Sequence, residues 1–570
     1  MRILLLTHAF NSLTQRLFVE LRGLGHVVSV ELDIADSTSE EAVRLFVPDL
    51  VIAPYLRRAI PESIWSQYVC FIVHPGIVGD RGPSALDWAV QSGAHEWGVT
   101  VLQAEAEMDA GAVWASEPIA MRHAAKASIY RREVTDAAHV AVARAVARFE
   151  LGAQARPLAS FDCLLSGWHP LMRQEDRALD WQRDTTELVL RKVRAADSFP
   201  GVRDRWFDRE VRVFDAHPEG RLRGVAGAVL GYRDGALLRA TTDGAVWIGQ
   251  MIGAEGIKLS ALQVFADKKG SLTELARTGL WEEDYPTWQE ISYDEQGAVG
   301  NLRFNFYNGA MSTDQCMRLR QALNWVQKRP VRVLVLWGGQ DFWSNGIHLG
   351  AIEAVSLTGG SAAQASWDNI QAMDDVAQTI LENDTQLTVA AVAGNAGAGG
   401  CFLARAAWQV WVRDGVILNP HYKNMGNLYG SEYWTYTLPQ HVGVELARQI
   451  MQDRLPMSGE RAARCGFADA CLDGDVATFG KLVEARAQEI AHEPHWTHTM
   501  RAHRQRRVGD ESIKPLQAYR NDELAHMHRN FFGFDPSYHV ARHHFVRKSP
   551  ASWTPRHLAL HRQPGWSASK

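Results

Sequence analysis

Four short apolar runs open the chain: "RILLLTHA", "HVVSVEL", "PDLVIAPY" and "CFIVHPG". Each has the length of a buried strand. A polar, helix-forming stretch ending at Gly23-Leu24-Gly25 separates the first two. Strands alternating with helical stretches predict a doubly wound parallel sheet, with ligands at the carboxyl ends of its strands. His74 lies at such an end, delivered by "FIVHPGIVGDRGPSALDWAV" into Pro-Gly and a polar glycine loop.

From about 170 to 275 the pattern changes. "LDWQRDTTELVLRKVRAAD" reads as a helix. Short β runs broken by Gly and Asp-Gly then predict a small barrel or open sheet. "WEEDYPTWQE" resets the chain, and "VRVLVLWGGQ" and "LTVAAVAGNAGAGGCFLARAAWQVWV" follow as strands joined through helices. The implied units are 1–165, 166–278, a linker over 279–290, 291–490, and a His- and Arg-rich tail over 491–570, helical before it frays. The fold class is α/β multidomain.

Composition narrows the function classes. Of 570 residues, 46% are hydrophobic and 22% charged, with a net charge of −5. That balance favours neither nucleic acid nor an anionic membrane as partner. No run of 18 apolar residues occurs, and "MRILLLTHAF" is too short an apolar run for a signal peptide. Cys70, Cys163, Cys316, Cys401, Cys465 and Cys471 form no CxxC pair. They read as reduced and structural, which points to the cytoplasm. "HMH" at 526–528 and "HVARHH" at 539–544 lack the spacing that completes a metal site, so no metal is expected. "RAHRQRR" at 501–507 reads as a solvated helix face.

Downstream of His74, "WGVTVLQAEAEMDAGAVWA" supplies a strand, a polar turn with Asp109 and another strand start. A carboxylate beside a strand-end histidine fixes its tautomer and favours its charged form, which suits proton transfer near neutral pH. The order of HP, a loop with RG, a helix, GVT and MDxG resembles the formyltransferase signature. That family transfers or hydrolyses the formyl group of 10-formyltetrahydrofolate, using Asn, His and Asp. The resemblance carries His74 and Asp109 over and makes the first domain Rossmann-like. The region 170–275 is similar to the family's carboxyl-terminal barrel. Ile72 stands where the family has asparagine, so either another donor serves the formyl oxygen or the chemistry is altered.

"LWGGQDFWSNGIHLG" and "AGNAGAGGCFLA" each run a strand into glycines. Glycine lets backbone N–H groups converge on a ligand, and a helix amino terminus favours developing negative charge. Neither is a GxGxxG or GxxxxGK[ST] phosphate loop. The pair resembles the two oxyanion-hole segments of the enoyl-CoA hydratase/isomerase (crotonase) superfamily. The resemblance assigns the amides of Ile347 and Gly399 to a thioester oxygen and implies a crotonase-like α/β spiral. Phe402 stands where a hydratase has a catalytic glutamate, so water addition is not expected. "HYKNMGNLYGSEYW" offers Tyr422 and Glu432 as replacements, with His421 as a rival base.

A formyltransferase-like half joined to a crotonase-like half is similar to one family in particular, the hydrogenase maturation factors HypX (HoxX). The resemblance implies formyl transfer from 10-formyltetrahydrofolate to coenzyme A (CoA). Decarbonylation of formyl-CoA then supplies carbon monoxide for the iron of [NiFe]-hydrogenase. It implies transient contact with hydrogenase maturation proteins or the hydrogenase large subunit. Tyr422 and Glu432 become an acid–base pair, each open to either role. Arg131, Arg542 and Gln15 become candidates for holding CoA. Two other readings stand beside this one. The first is a formyltransferase or deformylase fused to an acyl-CoA-binding domain of other function. The second is a non-catalytic hydrogenase chaperone.

Overall fold

The computed structural model describes residues 1–161, 167–276 and 279–567. Cys163 and the junctions placed at 165/166 and at 278 lie outside the described residues.

Apolar strands Arg2–Thr7, Val27–Leu32, Leu50–Ala53 and Cys70–His74 form the parallel part of the first sheet. The expected all-parallel sheet is corrected beyond that point. Glu96–Gln103 and Val113–Ala120 pair with each other antiparallel, and the first of them pairs antiparallel with Cys70–His74. The reason is local: a nine-residue connection carries no crossover helix, so the two strands form a hairpin. Helices Ser12–Gly23 and Thr135–Glu150 cover one face through Leu13, Leu17, Ala138 and Val142. Asp36–Phe46 covers the other through Val43 and Phe46.

The second unit is an antiparallel sheet in the order Val229–Arg233, Ala236–Ala240, Ala245–Ile252, Arg209–Glu219, Val202–Trp206. Lys258–Ser260 pairs antiparallel with the carboxyl-terminal end of Ala245–Ile252. Helix Thr186–Ala196 packs Val189, Leu190 and Val193 onto it. Among the described residues its two outer strands do not pair, so it is an open sheet rather than a closed barrel.

The third unit stacks two sheets. One runs Ile291–Gln296, Val299–Phe304, Val333–Trp337, Leu387–Val392, Gln409–Arg413, Ala470–Leu472, parallel after its first pair. The other orders short strands Phe342–Ser344, Asn395–Gly397, Ile417–Asn419 and Met457–Ser458. Each chain turn contributes a strand to the first sheet and then one to the second. Both glycine loops lie on that crossing.

Helices Val476–His492, Trp496–Ile513, Leu516–Phe532 and Ser537–Arg547 follow. The tail does not fray after them. It crosses back to the first sheet, where Val30 N–H donates to the Leu558 carbonyl and Leu32 N–H to Thr554 Oγ1. The fully buried Glu31 carboxylate there meets His561 Nε2 at 2.7 Å, Arg562 Nε at 2.8 Å and Thr554 Oγ1 at 2.6 Å. The chain thus closes on itself. No helix among the described residues is long and apolar enough to cross a membrane.

Candidate active site

Two centres lie in the chain. At the first, the buried His74 ring ends its strand and is held from two sides. Its Nε2 lies 2.8 Å from Asp80 Oδ2, and its Nδ1 lies 3.6 Å from Asp109 Oδ2. Asp109 sits in left-handed backbone, at φ 53°, and accepts from the Gly82 amide at 3.1 Å. Gly76 is required here, because a Cβ on it would come within 2.3 Å of His74 Nε2. Asp80, which sequence reasoning missed, is the closer partner. It is fully buried and also receives His169 Nδ1 at 2.7 Å, from the segment leading into the second domain. The only signal for it was a carboxylate inside the quoted glycine loop. Ile72 is half-buried against the Leu4, Val51 and Phe46 cluster.

At the second centre, Gly346 and Gly399 approach closely: a Cβ on Gly346 would stand 3.4 Å from Gly399 N. Gly399 opens the helix Gly399–Arg405, so its N–H has no intrahelical acceptor. Ala398 before it is held at φ 48°, ψ −126°. Met311 pairs with Ile347 in a parallel ladder, and its carbonyl accepts from His348 N–H. By strand alternation the Ile347 N–H points away from that partner. Phe402 is buried and stacks on the Tyr422 ring at 5.3 Å.

Glu432 reaches this loop. A Cβ on Gly399 would lie 2.4 Å from Glu432 Oε1, so only glycine admits the carboxyl group. Its other oxygen, Oε2, lies 2.5 Å from the Tyr422 hydroxyl. Glu432 and Tyr433 are consecutive left-handed residues, at φ 59° and 60°, a strained conformation for side chains of this size. Two buried carboxylates from distant helices hold it. Asp374 accepts from Ser431 Oγ at 2.6 Å and Glu432 N–H at 2.8 Å. Glu523 accepts from Tyr433 N–H at 3.0 Å and Thr435 N–H at 2.8 Å. Burial, then the neighbouring Asp374 charge, pushes Glu432 up to about 8; burial pushes Asp374 up to about 6. The Tyr422 hydroxyl is raised by burial and then by Glu432.

His421 is buried with neither ring nitrogen bonded, and is depressed to about 4 by burial, then by His557 and Arg454. The charges it feels are those two groups, not Glu432.

The remaining candidates lie at junctions. Gln15 Oε1 accepts from Asn419 Nδ2 at 2.9 Å, joining the first domain to the third. Arg131 binds Asp341 at 3.1 Å and Asn308 at 3.2 Å, and lies 4.9 Å over the Phe342 ring. Arg542 is buried on Glu353 at 2.9 Å and next to His539 at 2.7 Å. Sequence reasoning missed Lys258, lowered to about 8 chiefly by burial and further by Lys548 and Arg131, so three cations meet at this junction. Among the described residues no His, Cys, Asp or Glu group is arranged to hold a metal ion. His526 instead stacks on Tyr429, and His543 pairs with Glu353.

Family models place names on these parts. Residues 31–146 match formyl transferase, 171–269 the formyl transferase C-terminal domain, and 295–556 enoyl-CoA hydratase/isomerase. The hydrogenase maturation factor HoxX of Bradyrhizobium diazoefficiens is 51% identical over 565 residues, 99% of this chain and 97% of that protein. The chain belongs to the HypX/HoxX family of hydrogenase maturation factors. A crystal structure of HypX from Aquifex aeolicus in complex with tetrahydrofolic acid is 45% identical and superposes with a TM-score of 0.96, covering 100% of both chains. Methionyl-tRNA formyltransferase of Granulibacter bethesdensis is 29% identical over 216 residues, 37% of this chain and 66% of that protein. The HypX/HoxX architecture is thus a Rossmann-like formyltransferase domain, its C-terminal companion and a crotonase-like domain. Formyltransferase and crotonase parts in one chain make it an enzyme.

Proposed function

We propose that this chain transfers formyl from 10-formyltetrahydrofolate to the thiol of CoA and then decarbonylates formyl-CoA, supplying carbon monoxide to the iron of a [NiFe]-hydrogenase. His74, oriented by Asp80 and Asp109, takes the thiol proton and returns it to the folate nitrogen as the amide bond breaks. Ile347 and Gly399 amides hold the formyl oxygen of the thioester. The hydrogen-bonded pair of Glu432 and Tyr422 serves the proton transfers there. The units 1–165, 166–278, 291–490 and 491–570 divide this labour, with 279–290 as linker. Gln15 and Arg131, with Lys258 beside them, hold CoA where the halves meet. Arg542 supports that wall through Glu353. Both substrates are small cytoplasmic molecules, and contact with the hydrogenase large subunit or its maturation proteins is transient.

One observation carries this reading. The carboxyl group of Glu432 presses on the glycine of the oxyanion loop, while an apolar ring occupies the hydratase glutamate's place. Such a pocket can move a proton at a thioester, while the apolar Phe402 ring offers no group to place water. The test gives purified protein 10-formyltetrahydrofolate and CoA, and follows haemoglobin-CO absorbance together with formyl-CoA by mass spectrometry. Carbon monoxide that depends on both substrates supports the proposal. Formate alone favours a deformylase with a fused acyl-CoA-binding domain, and no turnover at all favours a chaperone.

A further inference from the structure

The Tyr422 hydroxyl faces two acceptors and has one proton. The Ser431 carbonyl lies 2.9 Å from it and Glu432 Oε2 lies 2.5 Å from it. A carbonyl oxygen brings no proton of its own, so an ionised Glu432 would leave one of these two contacts as oxygen facing oxygen with nothing between. A neutral Glu432 satisfies both: its O–H donates to Tyr422 Oη, and Tyr422 donates to Ser431. Among the described residues the Ser431 carbonyl otherwise receives only Trp434 N–H, at 3.4 Å.

Three buried carboxyls cluster here, and their partners differ. Asp374, from helix Ala362–Leu381, receives two donors, and Arg520 Nε lies 3.9 Å away. Glu523, from helix Leu516–Phe532, receives Tyr433 N–H, Thr435 N–H and Thr435 Oγ1. Glu432 is 1% exposed; among the described residues it makes no ion pair, and its carboxyl group is met only by Tyr422 and by its neighbour Ser431. Arg520 favours charge on Asp374, and three donors favour it on Glu523 although burial raises that group too. Glu432, buried with no ion pair, is the carboxyl that gains most from being neutral.

We infer that resting Glu432 is a neutral carboxylic acid, and that it, not Tyr422, is the proton donor and then the acceptor in the decarbonylation proposed above. This inference rests on that reading for its chemistry but not for the protonation state. The Glu432 O–H bond breaks as an S–H bond forms on the departing thiol, and the C–S pair goes to sulfur. The formyl C–H proton then passes to the Glu432 carboxylate, and the C–H pair becomes the carbon lone pair of carbon monoxide. Glu432 ends as it began, so no oxidant, reductant or further proton is needed. Tyr422 is a positioning residue that orients the acid.

Infrared difference spectroscopy in H2O and D2O at pH 7 tests the protonation state without turnover. Wild type minus Glu432→Gln is expected to contain one protonated-carboxyl C=O band with a deuterium shift. A difference confined to ionised-carboxylate bands overturns the inference. Tyr422→Phe gives a second reading should Glu432→Gln fold poorly: the same band is expected to persist and move, since its acceptor is gone, and an unmoved carboxyl region overturns the inference. With supplied formyl-CoA, Glu432→Gln is expected to lose carbon monoxide release at least 100-fold on the general acid–base scale, and Tyr422→Phe less than about tenfold. The reverse order overturns the role. Wild type that releases none from formyl-CoA fails the proposed function, while the infrared result still decides the protonation state.

Discussion

His74 and Asp80, six residues apart, share a 2.8 Å contact that is shut off from solvent on both sides. The carboxylate fixes one ring nitrogen while Asp109 stands 3.6 Å from the other, so the ring has one orientation. His74→Ala is expected to slow tetrahydrofolate release from the formylated cofactor about 10²–10⁴-fold and to leave decarbonylation of supplied formyl-CoA intact. Asp80→Asn keeps size but lets the ring choose its tautomer. It should lower kcat for folate release about tenfold or more with tetrahydrofolate affinity unchanged. Wild-type turnover in His74→Ala would make this histidine a structural turn residue, and wild-type turnover in Asp80→Asn would mean that Asp80 does not orient it.

CoA enters the proposed cycle as a thiol and leaves as a thiol. It is therefore expected in catalytic amounts. With 10-formyltetrahydrofolate in excess and CoA limiting, the yield of carbon monoxide should exceed the CoA added many times over. A yield capped at one per CoA would sink the cycle. Arg131→Ala should raise the KM for CoA with little change in kcat, because the guanidinium binds and takes no part in proton transfer.

Much of this organisation was legible in the chain itself. Buried strands read as short apolar runs, and the glycines beside Ile347 and Gly399 announce backbone brought close to something. Strand direction was not legible, because a strand buried on both faces reads alike whether its neighbour runs parallel or antiparallel. Asp374 and Glu523 were hidden for another reason. Acids on amphipathic helices look like solvated faces until topology turns them inward. Asp80 sits in a loop with no periodicity to read, and only the paired segment at His169 gives it a second partner. The tail's "HLALHR" looked like a fraying end because its partner Glu31 lies 530 residues earlier.

That return of the tail has a pH signature. Burial alone would raise Glu31, but its hydrogen bonds from His561, Arg562 and Thr554 outweigh burial and hold it below 4.5. A carboxyl group depressed on folding contributes stability that is present above its unfolded value and lost as pH falls through its folded one. The strap should therefore loosen in acid, below the ordinary carboxylate range. Glu31→Ala strands the buried His561, while Arg562 keeps Glu41, and should cost about 3–5 kcal/mol. Urea titration of the first domain's transition, with limited proteolysis after residue 548, measures both effects. An unchanged transition would mean that the strap lies on the domain without stabilising it.

The strained pair at Glu432 and Tyr433 makes the last prediction. Each left-handed residue costs about 1–3 kcal/mol, so the turn persists only while Asp374 and Glu523 accept its amides. Glu523→Gln replaces one acceptor oxygen by a donor that faces either Tyr433 N–H or the Thr435 amide and hydroxyl. That leaves a buried N–H unpaired, at about 1–3 kcal/mol, and lets the turn relax. Relaxation withdraws the Glu432 carboxyl from Gly399, although residue 523 itself stands behind the turn. Carbon monoxide release from formyl-CoA should fall at least tenfold in this variant, while tetrahydrofolate release at His74 continues at the wild-type rate. Asp374→Asn should act in the same direction through the Glu432 amide. Loss of both activities together would instead mean that the variant unfolds the whole domain. Full retention of both, with unchanged melting, would show that the left-handed turn holds without its carboxylates.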